Sequence, residues 1–394
     1  QGALISIDPQ DGAITALSGG FNFYDETKNG NFNRAMDAGR QPGSAFKPFI
    51  YSAALERGFT VASIINDAPI VEQSSELETF WRPENYSGEI NGPTRLREAL
   101  IKSLNLVSIR LLRSPDLATG ISHTVEHLKR FGFDQIALPR NNTLALGSGS
   151  VAPLDVAQGY ATFANGGYSV IPYIIETIED ENGKVLYRAD PNLACSDCIN
   201  NEDMNTELIE TSSDLYSSAQ HTERTISAQN AYLINDLLQD NVRRGTGRRA
   251  YRELGRTDLS GKTGTTNDSS DVWFAGYNGD IVTAAWIGFD RVRPLGTRET
   301  GASTALPMWI DFMREALDGL PLNTMSRPTG IIDVRINPET GLVAGAGENS
   351  IFEKFRTDHA PQSESVRSDL SKSTIVRNYS EPPREKSTKP EPIF

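Results

Sequence analysis

The chain has 394 residues, with 38 Lys+Arg against 51 Asp+Glu for a formal net charge of −13, and is 38% hydrophobic and 23% charged. At roughly 100–200 residues per domain this allows two or three domains, or one large domain with insertions, and the composition excludes collagen, coiled coil and wholesale disorder. The acidic balance, with a pI near 4.9, argues against a broad nucleic-acid footprint, and no apolar run reaches the roughly 18 residues that a membrane helix needs.

In chain order, Ala3–Ile7 and Ala13–Leu17 read as two strands joined by a turn at 8–12. A polar loop (22–33) follows, then a helix from about Ser44 to Arg57, closed by Gly58, with Pro48 in its first turn, where a missing N–H costs little. Residues 59–93 are irregular around Trp81-Arg82-Pro83-Glu84-Asn85-Tyr86. Helices are expected at about 95–104, 107–112, 121–131 and 153–165, the last stopped by Gly166-Gly167. Residues 180–226 are rich in Glu, Asp, Asn, Ser and Thr and read as a solvated, partly mobile insertion. An amphipathic helix spans about 228–242. Strands follow at about 259–263, 272–277 and 281–289, the last two joined by an Asn278-Gly279 turn, and a helix at 307–317 closes the set. Strands at both ends with helices between them predict an α+β fold, an antiparallel sheet flanked by helices plus a helical lobe.

The first residue is Gln1, and no signal peptide precedes the first strand, so the chain is read as a fragment of a longer protein. Cys195 and Cys198 form one Cys-x-x-Cys pair without the second pair that a zinc site requires. A local disulfide or two idle thiols is the favoured reading.

Three short segments carry chemistry in combination: Ser44-Ala45-Phe46-Lys47, Ser103-Leu104-Asn105 and Lys262-Thr263-Gly264. Each alone is common, but here the first opens a predicted helix, the second follows one and the third ends a predicted strand. On a helix, positions i and i+3 share a face, so Lys47 sits beside Ser44. A serine hydroxyl needs a base to become a nucleophile, and a lysine serves as that base only when neutral, which burial or a neighbouring cation such as Lys262 favours. Ser103 can pass protons between Lys47 and a leaving nitrogen. Asn105 offers a donor and an acceptor to a peptide amide, and Lys262, Thr263 and Thr265 suit a terminal carboxylate. The backbone N–H groups of Ser44 and Thr265 can serve as oxyanion donors, each worth about 3 kcal/mol in a transition state.

These segments match the S-x-x-K, S-x-N and K-T-G signature of penicillin-binding proteins and serine β-lactamases. With Asn33-Arg34-Ala35, Arg40-Gln41-Pro42-Gly43, Lys47-Pro48-Phe49, Trp81-Arg82-Pro83-Glu84-Asn85, Ala145-Leu146-Gly147, Ala164-Asn165-Gly166-Gly167 and Gly261 to Thr266, the chain resembles the transpeptidase region of class A penicillin-binding proteins, most of all the 1a type of Gram-negative bacteria, over about residues 2–345.

The resemblance implies the penicillin-binding transpeptidase fold and a DD-transpeptidase. Its serine opens D-Ala-D-Ala on peptidoglycan stem peptides, hands the acyl group to an amine on a neighbouring stem, and is inhibited by β-lactams. It implies Ser44 as nucleophile, Lys47 as base, Ser103 and Asn105 as second motif, and Lys262, Thr263, Gly264 and Thr265 as the carboxylate-binding strand. No cofactor, metal or nucleic acid is implied. Cell-wall assembly proteins are the expected partners, and the periplasmic face of the inner membrane the expected location. An anchor and a glycosyltransferase domain are expected elsewhere in the longer protein, and the oligonucleotide-binding-like module usual for the 1a type is not visible. The domain reading is a transpeptidase over 1–320 with an insertion at about 180–226, a short extension over 321–357 and a polar, disordered tail over 358–394.

Three decoys fall away on spacing or context. Gly255 to Thr263 has five residues between its glycines where a P-loop needs four, Gly147 to Val151 lacks a βαβ frame, and His123 and His127 read as a solvated helix face. A serine β-lactamase needs a deacylating glutamate after the second motif, and none occurs between Glu126 and Glu176. That β-lactamase and a non-catalytic β-lactam sensor or binding module, which keeps the same motifs, are the two alternatives.

Overall fold

The computed structural model describes residues 1–25, 30–73, 80–114, 120–194, 222 and 224–361. The expectations for Cys195 and Cys198, for most of the polar insertion and for the tail from residue 362 lie outside the described residues.

The chain opens with strands β1 (Gly2–Ile7) and β2 (Ile14–Ser18). A 3-10 turn, Gly43–Phe46, leads into α1 (Lys47–Glu56). Short strands β3 (Ile64–Asp67), β4 (Glu72–Gln73), β5 (Phe80–Trp81) and β6 (Gly92–Arg95) precede helices α2 (Leu96–Ile101), α3 (Asn105–Arg113), α4 (Ile121–Lys129) and α5 (Pro153–Ala164). A small hairpin pairs β7 (Thr177–Glu179), just before the stretch read as solvated insertion, with β8 (Val185–Arg188) inside it, so the first part of that stretch carries regular structure. Helices α6 (Ala228–Arg244) and α7 (Arg248–Leu254), strands β9 (Ser260–Thr265), β10 (Asp271–Tyr277) and β11 (Val282–Gly288), and α8 (Leu306–Ala316) follow. Strands β12 (Ile331–Ile336) and β13 (Ile351–Arg356) pair with each other at the end.

The main sheet has the order β2-β1-β11-β10-β9 and its pairings are antiparallel, so distant ends of the chain meet at β1 and β11. Both faces are covered. On β1 and β10 the period-2 alternation sends Ala3, Ile5, Ile7, Trp273, Ala275 and Tyr277 into the core under the helical lobe, while Leu4, Val272 and Phe274 pack with Trp309 and Met313 of α8. Full burial of β1 explains why it reads as a continuous apolar run. This is the expected α+β arrangement.

Helix α1 runs through the centre of the lobe, buried from Lys47 to Leu55. Phe49 lies within 5.0–5.5 Å of the rings of Phe46, Phe131, Phe133, Tyr160 and Phe163, an aromatic cluster that locks α1 against the neighbouring elements. A buried ionic knot ties the last hairpin to this lobe: Arg97 of α2 meets Glu353 of β13 at 2.6 Å and Asp240 of α6 at 2.8 Å.

Candidate active site

The sequence predicts an α-helix opening at Ser44, whereas the backbone is a 3-10 turn there and α-helical only from Lys47. The tighter winding brings i and i+3 into line, and Lys47 N–H donates to Ser44 O, so the two side chains still share a face. The turn is stapled to the sheet from several sides. Arg34 grips Asp290 through two bonds of 2.6 and 2.7 Å, Arg40 donates to Phe289 O, and the Trp273 indole donates to Gln41 O at 2.8 Å. Tyr160 O–H reaches Ala45 O at 2.7 Å. Gly43 has φ +54°, and a Cβ there would sit 2.7 Å from Thr265 O, so only glycine lets this turn touch β9.

The second motif follows the end of α2. Ser103 N–H bonds Leu100 O and Leu104 N–H bonds Ala99 O, the pair of bonds that defines a Schellman stop, with Ser103 in the left-handed position at φ +58°. Glycine is the favoured residue there, and a serine costs about 1 kcal/mol. Residue 105 then begins α3. Its side chain is held at both ends: Asn105 Nδ2 donates to Glu84 O at 2.8 Å, and Asn105 Oδ1 accepts from Lys47 Nζ at 2.7 Å.

The third motif lies within β9, with Lys262 and Gly264 in register against Ala275 and Trp273, rather than at the strand's end as the sequence suggests. β9 is the edge strand of the sheet, and its free edge lines the cleft. Thr266 N–H donates inward to Asp271 O at 3.0 Å. By the alternation of an antiparallel ladder, the Thr265 N–H one residue earlier turns to the open edge, beside Gly43 and Ser44. A Cβ at Gly264 would collide with Pro42 O, so this contact again needs glycine.

The structure therefore brings together every residue singled out in the three motifs. Lys47 Nζ donates to Ser103 O at 2.7 Å and lies 3.4 Å from Ser103 Oγ, while Lys262 Nζ reaches Ser103 Oγ at 2.9 Å. Both lysines are fully buried. Burial first, then the charge of Lys262, pushes the Lys47 amine well below the ordinary lysine range, while Asp67 opposes the shift. Burial alone takes Lys262 down to about 7. A neutral Lys47 fits its partners: two N–H groups go to the two carbonyl oxygens, leaving the lone pair for a hydroxyl. The Ser44 hydroxyl has no hydrogen-bond partner among the described residues. The cleft that holds Ser44, Ser103, Asn105, Thr263 and Thr265 has a volume of about 780 Å³. A larger hollow of about 1060 Å³ lies between the lobe and the last hairpin but contains none of these groups, so chemistry rather than size selects the site.

Three participants escape the sequence reading. Thr246, at the α6–α7 junction, lines the cleft with its hydroxyl 2.7 Å from that of Thr263. Its flanking glycines, in Gly245-Thr246-Gly247, were the available signal. Asn85 and Asp67 stand behind Asn105. Asn85 lies in the family-like segment from Trp81 to Asn85, where the sequence assigns it no role, and Asp67 has no local pattern at all. One reading is corrected. His127 is not on a solvated face: it is buried, bonded to Ser52 Oγ at 2.9 Å and pushed down to about 3 by burial. It sits on the inward side of α4, which a four-residue spacing cannot distinguish from the outward side. Among the described residues no cluster of His, Cys, Asp and Glu could hold a metal ion, and no helix is long and apolar enough to cross a membrane.

The model of the penicillin binding protein transpeptidase domain matches residues 2–287. The chain belongs to the penicillin-binding protein transpeptidase family. Curated relatives include penicillin-binding protein 1A of Pseudomonas aeruginosa, 48% identical over 92% of this chain and 46% of its own length, and that of Vibrio cholerae, 40% identical over 91% and 45%. The chain thus spans just under half the length of these relatives. Among solved structures, penicillin-binding protein 1A from Haemophilus influenzae superposes with a TM-score of 0.81 at 38% identity, covering 92% of this chain and 54% of that one. PonA1 from Mycobacterium tuberculosis in complex with penicillin V superposes at 0.65 with 26% identity, covering 84% and 81%. The family bears out the expected fold class, and the matched span contains all three motifs.

Proposed function

We propose that this chain is a peptidoglycan DD-transpeptidase working through a serine acyl-enzyme, with Ser44 as nucleophile. The observation that carries the reading is the buried Lys47, whose amine protons have Ser103 O and Asn105 Oδ1 as partners, three residues after Ser44 of the 3-10 turn on the cleft wall.

Ser44 Oγ attacks the carbonyl carbon between the two D-alanines as Lys47 takes its proton. The Ser44 and Thr265 N–H groups receive the oxyanion. The C–N bond breaks, and Ser103, touching both lysines, returns the proton to the leaving D-Ala amine. An amine of a neighbouring stem then attacks the ester, forms the cross-link and frees Ser44. The Thr263, Thr265 and Thr246 hydroxyls with Lys262 receive the terminal carboxylate, and Gly264 gives β9 its close approach to the turn. β-Lactams acylate the same serine and act as covalent inhibitors. In the longer protein we place this domain at the periplasmic face of the inner membrane, beside a glycosyltransferase domain and among cell-wall assembly proteins, as the family resemblance implies.

The test supplies a donor peptide ending in D-Ala-D-Ala and an amine acceptor, and follows free D-Ala and transferred product. Release of D-Ala with product formation, both lost in Ser44→Ala, is the expected result. Turnover that survives Ser44→Ala contradicts the assignment, while penicillin hydrolysis without transfer points to a β-lactamase, and stable acylation without any turnover to a sensor.

A further inference from the structure

Resting on that function, we infer that Asp67 and Asn85 are positioning residues of the same site: together they set the orientation of Asn105 and, through it, the seat of the Lys47 amine. Asp67 is the last residue of β3 and is fully buried. Its Oδ1 accepts from Asn85 Nδ2 at 2.9 Å. Its Oδ2 accepts from Asn85 Nδ2 at 2.9 Å and from Asn91 N–H and Nδ2 at 2.8 Å each.

A carboxylate only accepts hydrogen bonds, so it fixes which end of the Asn85 amide it meets. With Nδ2 turned to Asp67, and also to Glu89 O at 2.8 Å, Asn85 Oδ1 must face the other way. There it accepts from the N–H groups of Asn105 at 2.8 Å and Leu106 at 3.2 Å. Helix α3 has Leu104 at its N-cap and no local side-chain acceptor, so Asn85, from 20 residues upstream, supplies the missing cap. The Asn105 side chain then reaches Glu84 O with one end and Lys47 Nζ with the other. Asp67 and Asn85 therefore fix the backbone of residue 105 at the start of α3, and the side chain on that backbone, with its amide ends set by Glu84 O, carries the placement to Lys47 Nζ.

Capping α3 is by itself a structural service. Three observations extend it to the chemistry. The relay ends on the Lys47 amine, and Asn85 itself forms part of the cleft wall. The charge of Asp67 also acts on Lys47, favouring the ammonium against burial and Lys262. That is the form Lys47 takes once it has accepted the serine proton.

The experiment follows acylation of the full chain by a penicillin with time-resolved intact-mass spectrometry, reading the rate constant at saturating drug separately from the final fraction acylated. In Asn85→Ala and Asp67→Asn we expect the rate constant to fall about tenfold, as for one lost positioning bond, with the endpoint still near one acyl group per chain. Asn85→Ser, which keeps a shorter acceptor, covers the case in which Asn85→Ala does not fold, and is expected to lose less. An unchanged rate constant, with only the endpoint or the melting temperature lowered, would mean that the pair merely holds the fold and would overturn the inference. A wild-type chain that is not acylated at Ser44 would instead overturn the proposed function.

Discussion

One wall of the cleft is β9, held by the backbone: ladder register places Lys262, Thr263 and Thr265, and glycines at 43 and 264 allow the first-motif turn to lie on the strand. The opposite wall is the α2–α3 junction, held by side chains: Ser103 occupies a position suited to glycine, and Asn105 is oriented by Asn85 and Asp67 from a different part of the lobe. The first wall therefore tolerates side-chain change but not added backbone bulk. The second accepts glycine at position 103 without losing its shape, yet loses its chemistry.

The largest effect is expected where the walls meet, at Lys47. Lys47→Arg keeps a cation but cannot supply a neutral amine, so penicillin acylation measured by mass is expected to fall by about 10³ or more. A fall of only a few-fold would mean that charge rather than proton transfer is what the site needs. Next comes Gly264→Ala, whose Cβ has no space beside Pro42 O and the Trp273 side chain. A loss of about 3 kcal/mol or more is expected, read from denaturant unfolding.

Ser103→Gly draws the contrast between the walls most cleanly. Glycine relieves the left-handed strain, so stability is expected to hold or rise by about 1 kcal/mol, while acylation falls about a hundredfold as the hydroxyl between the lysines disappears. Loss of stability with activity retained would reverse the reading of that turn. Lys262→Gln tests the electrostatics. The charge of Lys262 lowers the Lys47 pKa, and acylation rises with pH as Lys47 loses its proton. Removing the charge should therefore move the rising limb of the pH–rate profile to higher pH, and a limb that stays in place would uncouple the two amines. The smallest effect belongs to Thr246→Val, which removes one of three hydroxyls near the carboxylate position. About a threefold loss, mainly in KM for a D-Ala-D-Ala peptide, is expected.

Most of the β9 wall was legible in the sequence, because alternation and the clustered Lys262-Thr263-Gly264 are local patterns, although the β10–β11 turn centres on Gly279-Asp280, with Asn278 N–H donating to Ile281 O, and not on Asn278-Gly279. The sheet order was only half legible. Strands at both ends of the chain imply pairing, but the meeting of β1 with β11 depends on burial of both faces by elements far apart. The start of α1 was misplaced by three residues because a 3-10 turn and an α-turn share the i, i+3 pattern at Ser44 and Lys47. The second wall was the least legible. Ser103 and Asn105 announce themselves by motif, yet Asp67 is an ordinary aspartate in an irregular stretch, and nothing near it in sequence says that it is buried and accepts four hydrogen bonds. His127 failed for the same reason: spacing shows that two histidines share a helix, not which side of the helix meets the core.

The central claim is that Ser44, activated by Lys47, is the group that becomes acylated. Its most direct test is intact-mass spectrometry of the chain after a penicillin is added, followed over hours, with peptide mapping of the adduct. One long-lived acyl group on the peptide containing Ser44, absent in Ser44→Ala, is the predicted result. An adduct on another residue, or none at all in the folded wild-type chain, would contradict it.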